Sequence, residues 1–179
     1  MSAASAKLLV FAGERFACIK IVGRANFSSS IDFKALINEL RQRGYNYFVL
    51  DLSECALIDS TFLGVLAGFG LKLGPSTTDP EARAIELLNP NARITELLEN
   101  LGVLHLFKLT EGSLPAPAQA PECAMTPSNP SKSEVTRACL EAHQTLMEIN
   151  PKNVAKFKEV AAFMAEDLKR LDPPPATGR

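Results

Sequence analysis

Asp51, Asp59, Ser60 and Thr61 are the residues of this chain whose types and spacing invite chemistry. Two carboxylates beside a hydroxyl would suit general acid–base work, where one group takes a proton as another gives one up. That use needs a companion, and no His, Lys or nucleophile accompanies the pair in a recognisable pattern. The local sequence offers a different use. Asp59 and Ser60 stand just ahead of a long apolar run, where their side-chain oxygens can accept from the free N–H groups of a helix's first turn. Asp59 then caps the helix or orients Ser60, and a serine at such a place is by default a cap as well.

The other reactive side chains form no pattern. Cys18, Cys55, Cys123 and Cys139 are widely scattered, without a Cys-x-x-Cys pair, and the chain has two histidines, so zinc and thioredoxin-type chemistry find no ligand spacing. The cysteines read as reduced, small apolar residues. His105 opens an apolar strand and is structural, while His143 lies on a helix with polar neighbours. There is no Walker loop and no Gly-x-Gly-x-x-Gly, hence no expected nucleotide site and no expected cofactor or metal. Lys152, Lys156, Lys158 and Lys169 read as a solvated helix face.

Certain elements must hold Asp59 and Ser60 in place. Residues 47–52 are nearly all apolar and rich in aromatic and branched side chains, which predicts a strand buried on both faces, followed by a short loop. From Thr61 to Leu73 one charge, Lys72, and glycines at 64, 68 and 70 predict a helix apolar on almost every side. It must be covered by the sheet below and by something else above. Before it, residues 7–12 and 16–22 read as a hairpin about Gly13-Glu14-Arg15. Ser28 to Ser30, with Asp32, are cap candidates for a helix whose stripe is Phe33, Leu36, Ile37 and Leu40, stopped by Gly44.

After it come turn formers over 74–80, a strand within 82–88, and a helix opened by Asn89-Pro90 with the stripe Ile94, Leu97, Leu98 and Leu101. Residues 105–109 read as a last short strand. The alternation predicts an α/β layer fold with a mixed sheet and right-handed crossovers.

The organisation expected is a main domain over 1–111, a Pro-rich linker over 112–131 with prolines at 115, 117, 121, 127 and 130, and a C-terminal helical extension over 132–179. In the extension Ser131 and Glu134 suggest a capping box, with a stripe at Val135, Cys139, Ala142, Leu146 and Ile149. After Asn150-Pro151, a second stripe runs through Val154, Phe157, Ala161, Met164, Leu168 and Leu171. The two helices read as a hairpin whose seam is buried against itself, against the main domain and its helix 61–73, or in a homodimer.

Bulk properties narrow the function. The chain is 179 residues long, 46% hydrophobic and 22% charged, which supports a real core. A formal net charge of -1, a pI near 6.1 and no basic run argue against nucleic acid or an anionic membrane as partner. The apolar runs are too short for a signal-peptide core or a bilayer span, so a soluble, cytoplasmic protein without membrane insertion is expected.

The strand, loop and helix over 47–73 resemble the central motif of the STAS family, the sulfate-transporter and anti-sigma-factor-antagonist domain. The motif is matched by Asp51, Leu52, Asp59, Ser60, Gly64, Val65 and Leu66, and the resemblance covers roughly residues 7–110. It implies a STAS-like mixed β-sheet with helices packed on it and a non-enzymatic bacterial regulator of transcription. Resemblance to the anti-sigma-factor antagonists implies Ser60 as phosphoacceptor, with Thr61 as the alternative, and an anti-sigma factor that is also a serine-protein kinase as partner, a phosphatase being a further one. The partner surface so implied comprises Leu57, Ile58, Asp59, Ser60, Thr61 and Phe62. One departure is Phe62, where the family commonly has Gly two residues after the serine. The alternative is a constitutive STAS adaptor of a transport or signalling complex, with Ser60 only a cap.

Overall fold

The computed structural model describes residues 4–75, 82–114 and 123–175. Most of the turn-rich stretch expected over 74–80, and Pro115, Pro117 and Pro121 of the expected linker, lie outside the described residues.

β3 (Phe48–Asp51) is buried at every position, as its composition demands, and sits inside the sheet. It lies between β2 (Ala17–Ala25) and β5 (Ile85–Leu88), parallel to both. β6 (Lys108–Thr110) extends the sheet beyond β5, again in parallel. On the other side β1 (Lys7–Ala12) pairs antiparallel with β2 as the expected hairpin, from Lys7 opposite Val22 to Ala12 opposite Ala17. β7 (Cys123–Ala124) adds to the outer edge of β1, so the described part of the Pro-rich stretch contributes a strand.

Residues 55–58 are not the loop that the sequence suggested. They form β4 (Cys55–Ile58), parallel to the far half of β2 beyond a bulge at Gly23/Arg24. The bulge, with Gly23 at φ 98°, turns the end of β2 away from β3 and offers its backbone groups to a new partner. A four-residue strand is too short to announce itself by alternation.

Other ends shift for local reasons. Asn26, not a residue of the serine run, caps α1 (Phe27–Gln42): its Oδ1 accepts from Ser29 N at 3.1 Å while Ser29 Oγ accepts from Asn26 N at 2.9 Å. Asp32 is buried instead and accepts from Ser128 N at 3.2 Å. Asn91 rather than Asn89 caps α3 (Ala92–Asn100). Asn89 takes a left-handed turn, φ 54°, and its side-chain nitrogen donates to Gly112 O at 2.8 Å. His105 falls in a 3-10 turn over Leu104–Leu106, and the strand starts after it at Lys108.

The sheet's two faces differ. Ala17, Ile19, Ile21, Phe48, Leu50, Ile85 and Leu87 face a large core shared with Phe33 and Ile37 of α1 and Leu63 and Leu66 of α2 (Ser60–Leu73). Cys18, Val49 and Leu88 form a smaller cluster on the reverse face with Phe11, Phe16, Tyr47 and Leu114.

The C-terminal helices α4 (Lys132–Ile149) and α5 (Val154–Leu171) pack on one another, and α4 lies along α2. The Ser131–Glu134 capping box starts α4 as expected. Leu146 is fully buried in the main core. Asn153, also fully buried, donates to Leu101 O at 2.9 Å and Leu146 O at 2.8 Å, pinning the bend of the hairpin beside the end of α3. Of the expected α5 stripe, Ala161 is buried and Phe157 half-buried, whereas Val154 is exposed because the bend turns it outward.

α2 and α4 approach at backbone distance. A Cβ on Gly64 would stand 2.5 Å from Ala142 O, whereas one on Gly68 would meet Thr145 Cγ2 at an ordinary 3.8 Å. Gly64→Ala is therefore expected to destabilise the fold by about 1–3 kcal/mol through overpacking. Gly68→Ala should be neutral or stabilise by up to about 1 kcal/mol, the helix-propensity gain. Urea titration of the two variants checks the contrast.

Candidate functional site

The site is the start of α2, built by three helices. Asp59 has extended backbone and caps α2, its Oδ1 accepting from Phe62 N at 2.8 Å. Its Oδ2 accepts from Phe27 N, also at 2.8 Å, so one carboxylate ties together the first turns of α2 and α1. Burial pushes the Asp59 carboxyl above its ordinary pKa, opposed by the N–H groups of Phe62, Phe27 and Thr61 and by His143. The cap role read from the sequence falls to Asp59; Ser60 is the first residue of the helix proper.

Ser60 is half-buried, and its Oγ lies 3.0 Å from His143 Nε2 on α4. Thr61 is buried and its Oγ1 donates to Cys139 Sγ at 3.5 Å. The neighbouring Phe62 is fully buried, its ring packed on Phe33 with centroids 4.9 Å apart. The ring thus belongs to the core between α1 and α2 and does not stand in front of Ser60. Ile58 is buried too. Of the six residues expected to face a partner, Leu57, Asp59 and Ser60 reach the surface, and Ile58, Thr61 and Phe62 turn inward. Helical geometry decides this: once α2 packs on α1, the stripe through Phe62, Leu66 and Phe69 must face inward.

Asp51 does not join Asp59. It sits on the reverse sheet face beside Cys18, accepts from Ser53 N at 3.0 Å, and together with burial keeps the Cys18 thiol protonated, with a pKa pushed up to about 12. No acid–base pair forms. Among the described residues no group of three or more His, Cys, Asp or Glu could hold a metal ion, and no helix is long and apolar enough to cross a membrane.

His143 carried no signal of its site in the sequence, where it stands among polar neighbours. It is only 5% exposed because α4 lies on α2, and its ring stacks on Phe157 at 4.8 Å. Burial lowers its pKa, and Asp59 pulls weakly the other way, so the ring is neutral near pH 7. Among the described residues Nδ1 has no hydrogen-bond partner. A proton there would leave a buried donor unpaired, a costlier state than an unpaired acceptor. The proton therefore belongs on Nε2, which donates to Ser60 Oγ.

Residues 12–113 match the family model of the STAS domain, more than half of the chain, and the chain belongs to that family. A comparison with curated proteins found no match. Among solved structures the chain is similar to a Thermotoga maritima protein assigned as an anti-sigma factor antagonist. That pair shares 20% identity over 57% of this chain and 85% of the other, with a TM-score of 0.48. It is also similar to the anti-sigma factor antagonist SpoIIAA in its unphosphorylated form, at 16% identity over 60% and 89% of the two chains and a TM-score of 0.44. For the Bacillus cell fate determinant SpoIIAA in its phosphorylated form the values are 15%, 57%, 89% and 0.45. The family match ends before α4, so His143 and Cys139 lie outside it.

The histidine makes the fold pH-sensitive. Its folded pKa lies below the unfolded value of 6.5, so the unfolded chain binds the proton first and stability falls as pH drops through 6.5. Above that pH the contribution is constant. Wild type is expected to lose more stability between pH 7.5 and 5 than His143→Gln does. Denaturant titrations of both proteins at each pH check this, and parallel losses would contradict it.

Proposed function

We propose that this chain is a non-enzymatic regulatory module that binds an anti-sigma factor of the serine-kinase kind through the start of α2, and that phosphorylation of Ser60 switches this binding. The observation that carries the reading is the place of Ser60. It is a half-exposed hydroxyl on the first residue of a 14-residue helix, directly after the capping carboxylate.

The helix N-terminus tolerates an anion, a contribution of about 0.3–1 kcal/mol at an exposed site. A phosphate of about -1.5 to -2 charges there does not by itself threaten the sheet or the core. Within a contact the balance reverses. The same group would stand beside Asp59 and Leu57 and be desolvated and repelled, so modification lowers affinity. Phe62 offers no obstacle to a kinase, since its ring is in the core. A phosphatase would restore the binding form.

A second reading, the constitutive adaptor, is favoured by one observation: the Ser60 hydroxyl is already engaged by His143, and α4 covers the neighbouring face of α2. In that case the extension is a permanent part of the domain and partners dock elsewhere.

Mass-spectrometric phosphosite mapping on the protein from its own cells, in growth and under stress, separates the two. Ser60 phosphate that varies with condition is expected; an unmodified Ser60 with good peptide coverage favours the adaptor. In pull-downs Ser60→Glu is expected to lose the kinase partner that wild type captures while its sheet domain stays folded, as read by circular dichroism. Normal capture by Ser60→Glu would remove the switch.

A further inference from the structure

The extension meets the domain at two ends that are held very differently. At the far end Leu146 is buried in the main core, Asn153 donates to Leu101 O and Leu146 O, and Lys156 Nζ donates to Asn100 O at 2.9 Å. At the near end the polar links between α4 and α2 are the Ser60–His143 and Thr61–Cys139 hydrogen bonds, the latter a weak contact to sulfur. The near end is also held by the Lys34–Glu141 ion pair to α1, by Ser128 donating to Asp32 ahead of α4, and by Ala142 packed on Gly64. Of these links the Ser60 bond is the one that charge on Ser60 breaks, and the far end is the natural pivot.

His143 is poorly equipped to receive a charged group in place of that hydroxyl. It is buried and neutral and presents one N–H. Among the described residues its other nitrogen has no polar partner, and the groups shown to act on the imidazole are Asp59, Ser60 and the Phe157 ring. None is a fixed cation. A phosphate on Ser60 would have to fit within the present 3.0 Å contact, next to a carboxylate. Swinging to solvent instead breaks the bond and leaves both imidazole nitrogens unpaired in a buried place.

From this geometry we infer that α4, from Thr136 to His143, is a displaceable internal cover over the start of α2, latched by the Ser60–His143 bond and opened by negative charge on Ser60. The inference rests on the reading of Ser60 as phosphoacceptor for its biological use, though not for its test. The cover and an external partner compete for the same turn of α2. In the unmodified chain the partner must displace the latched cover, so the latch lowers its affinity, and a charged Ser60, although uncovered, repels the partner directly. Coupling is reciprocal: whatever loosens the cover exposes Ser60, and whatever modifies Ser60 loosens the cover.

Cys139 reports the state of the cover. Its thiol is buried against Thr61 and becomes accessible when α4 lifts, whereas Cys18 and Cys55 stay buried in the domain. The experiment is timed alkylation of the full chain with iodoacetamide at constant pH, read by peptide mass spectrometry. It compares wild type, Ser60→Glu, and Ser60→Gln as the uncharged variant of equal size. Labelling of a protected thiol follows the open fraction.

Loss of the latch is expected to speed Cys139 labelling in Ser60→Glu about tenfold or more over wild type, with Ser60→Gln within about threefold. Cys18 and Cys55 should remain protected in all three. Equal Cys139 rates in all three proteins overturn the proposal, as does equal acceleration by Glu and Gln, which would make bulk the cause. Should Ser60→Glu also expose Cys18 and Cys55, the shorter Ser60→Asp decides by the same criteria. Because no kinase or partner is used, the cover is judged even if Ser60 proves unmodified in cells. Conversely, cellular phosphate on Ser60 with a cover that stays shut under charge keeps the switch and removes the cover.

Discussion

A helix that is apolar on nearly every side cannot stand on a sheet alone, and the architecture of this protein follows from that constraint. The sheet takes one side of α2 and α1 takes another through Phe33, Phe62 and Phe69. The remaining side would expose a row of small residues, too narrow to hold a large side chain and too apolar to face water. α4 fills it at backbone distance, Ala142 over Gly64. Glycine in the middle of a helix costs about 1 kcal/mol in propensity; here that cost is offset by close packing that no larger residue would permit.

The start of α2 inherits its geometry from the same packing. Asp59 caps α2 and holds the first N–H of α1, so the two helices start from a common point. α4 then brings His143 to Ser60 from far along the chain, which turns a surface hydroxyl into a contact between domain and extension. Burial sets the chemistry of each group there. The imidazole is kept neutral, the Cys139 thiol is pushed up, and the Asp59 carboxyl is raised against the pull of its N–H donors.

Much of this was legible in the sequence because the signals are local. The apolar runs of β1 and β2 about Gly13-Glu14-Arg15, the solid apolar run of β3, and the 3.6-residue stripes of α1 and α3 each reflect one element meeting one core. Ser131 and Glu134 announce the start of α4 by a pairing within four residues. Asp59 and Ser60 likewise mark the start of α2. Where several side chains competed for one task, the choice lay beyond the sequence. Asn26 won the cap of α1 over the serines, and Asn91 won that of α3 over Asn89, because their backbones enter the helix in the extended conformation and that of Asn89 does not. β4 escaped notice because its partner edge exists only once β2 bends at Gly23.

The sequence by itself determined the layer fold, the family to which residues 12–113 belong, and Ser60 as the residue to watch. It also required that something cover α2, since an all-apolar helix has no other stable setting in water. Which element does so was decided only in three dimensions. Leu146 and Asn153 fit the ends of α4 and its bend beside α3, and the small residues of α2 let a helix backbone come close. The same step settled that Phe62 is core rather than surface, and that Ser60 answers to His143. Contacts between residues 83 positions apart depend on how whole elements dock, and no local pattern of residue types encodes that.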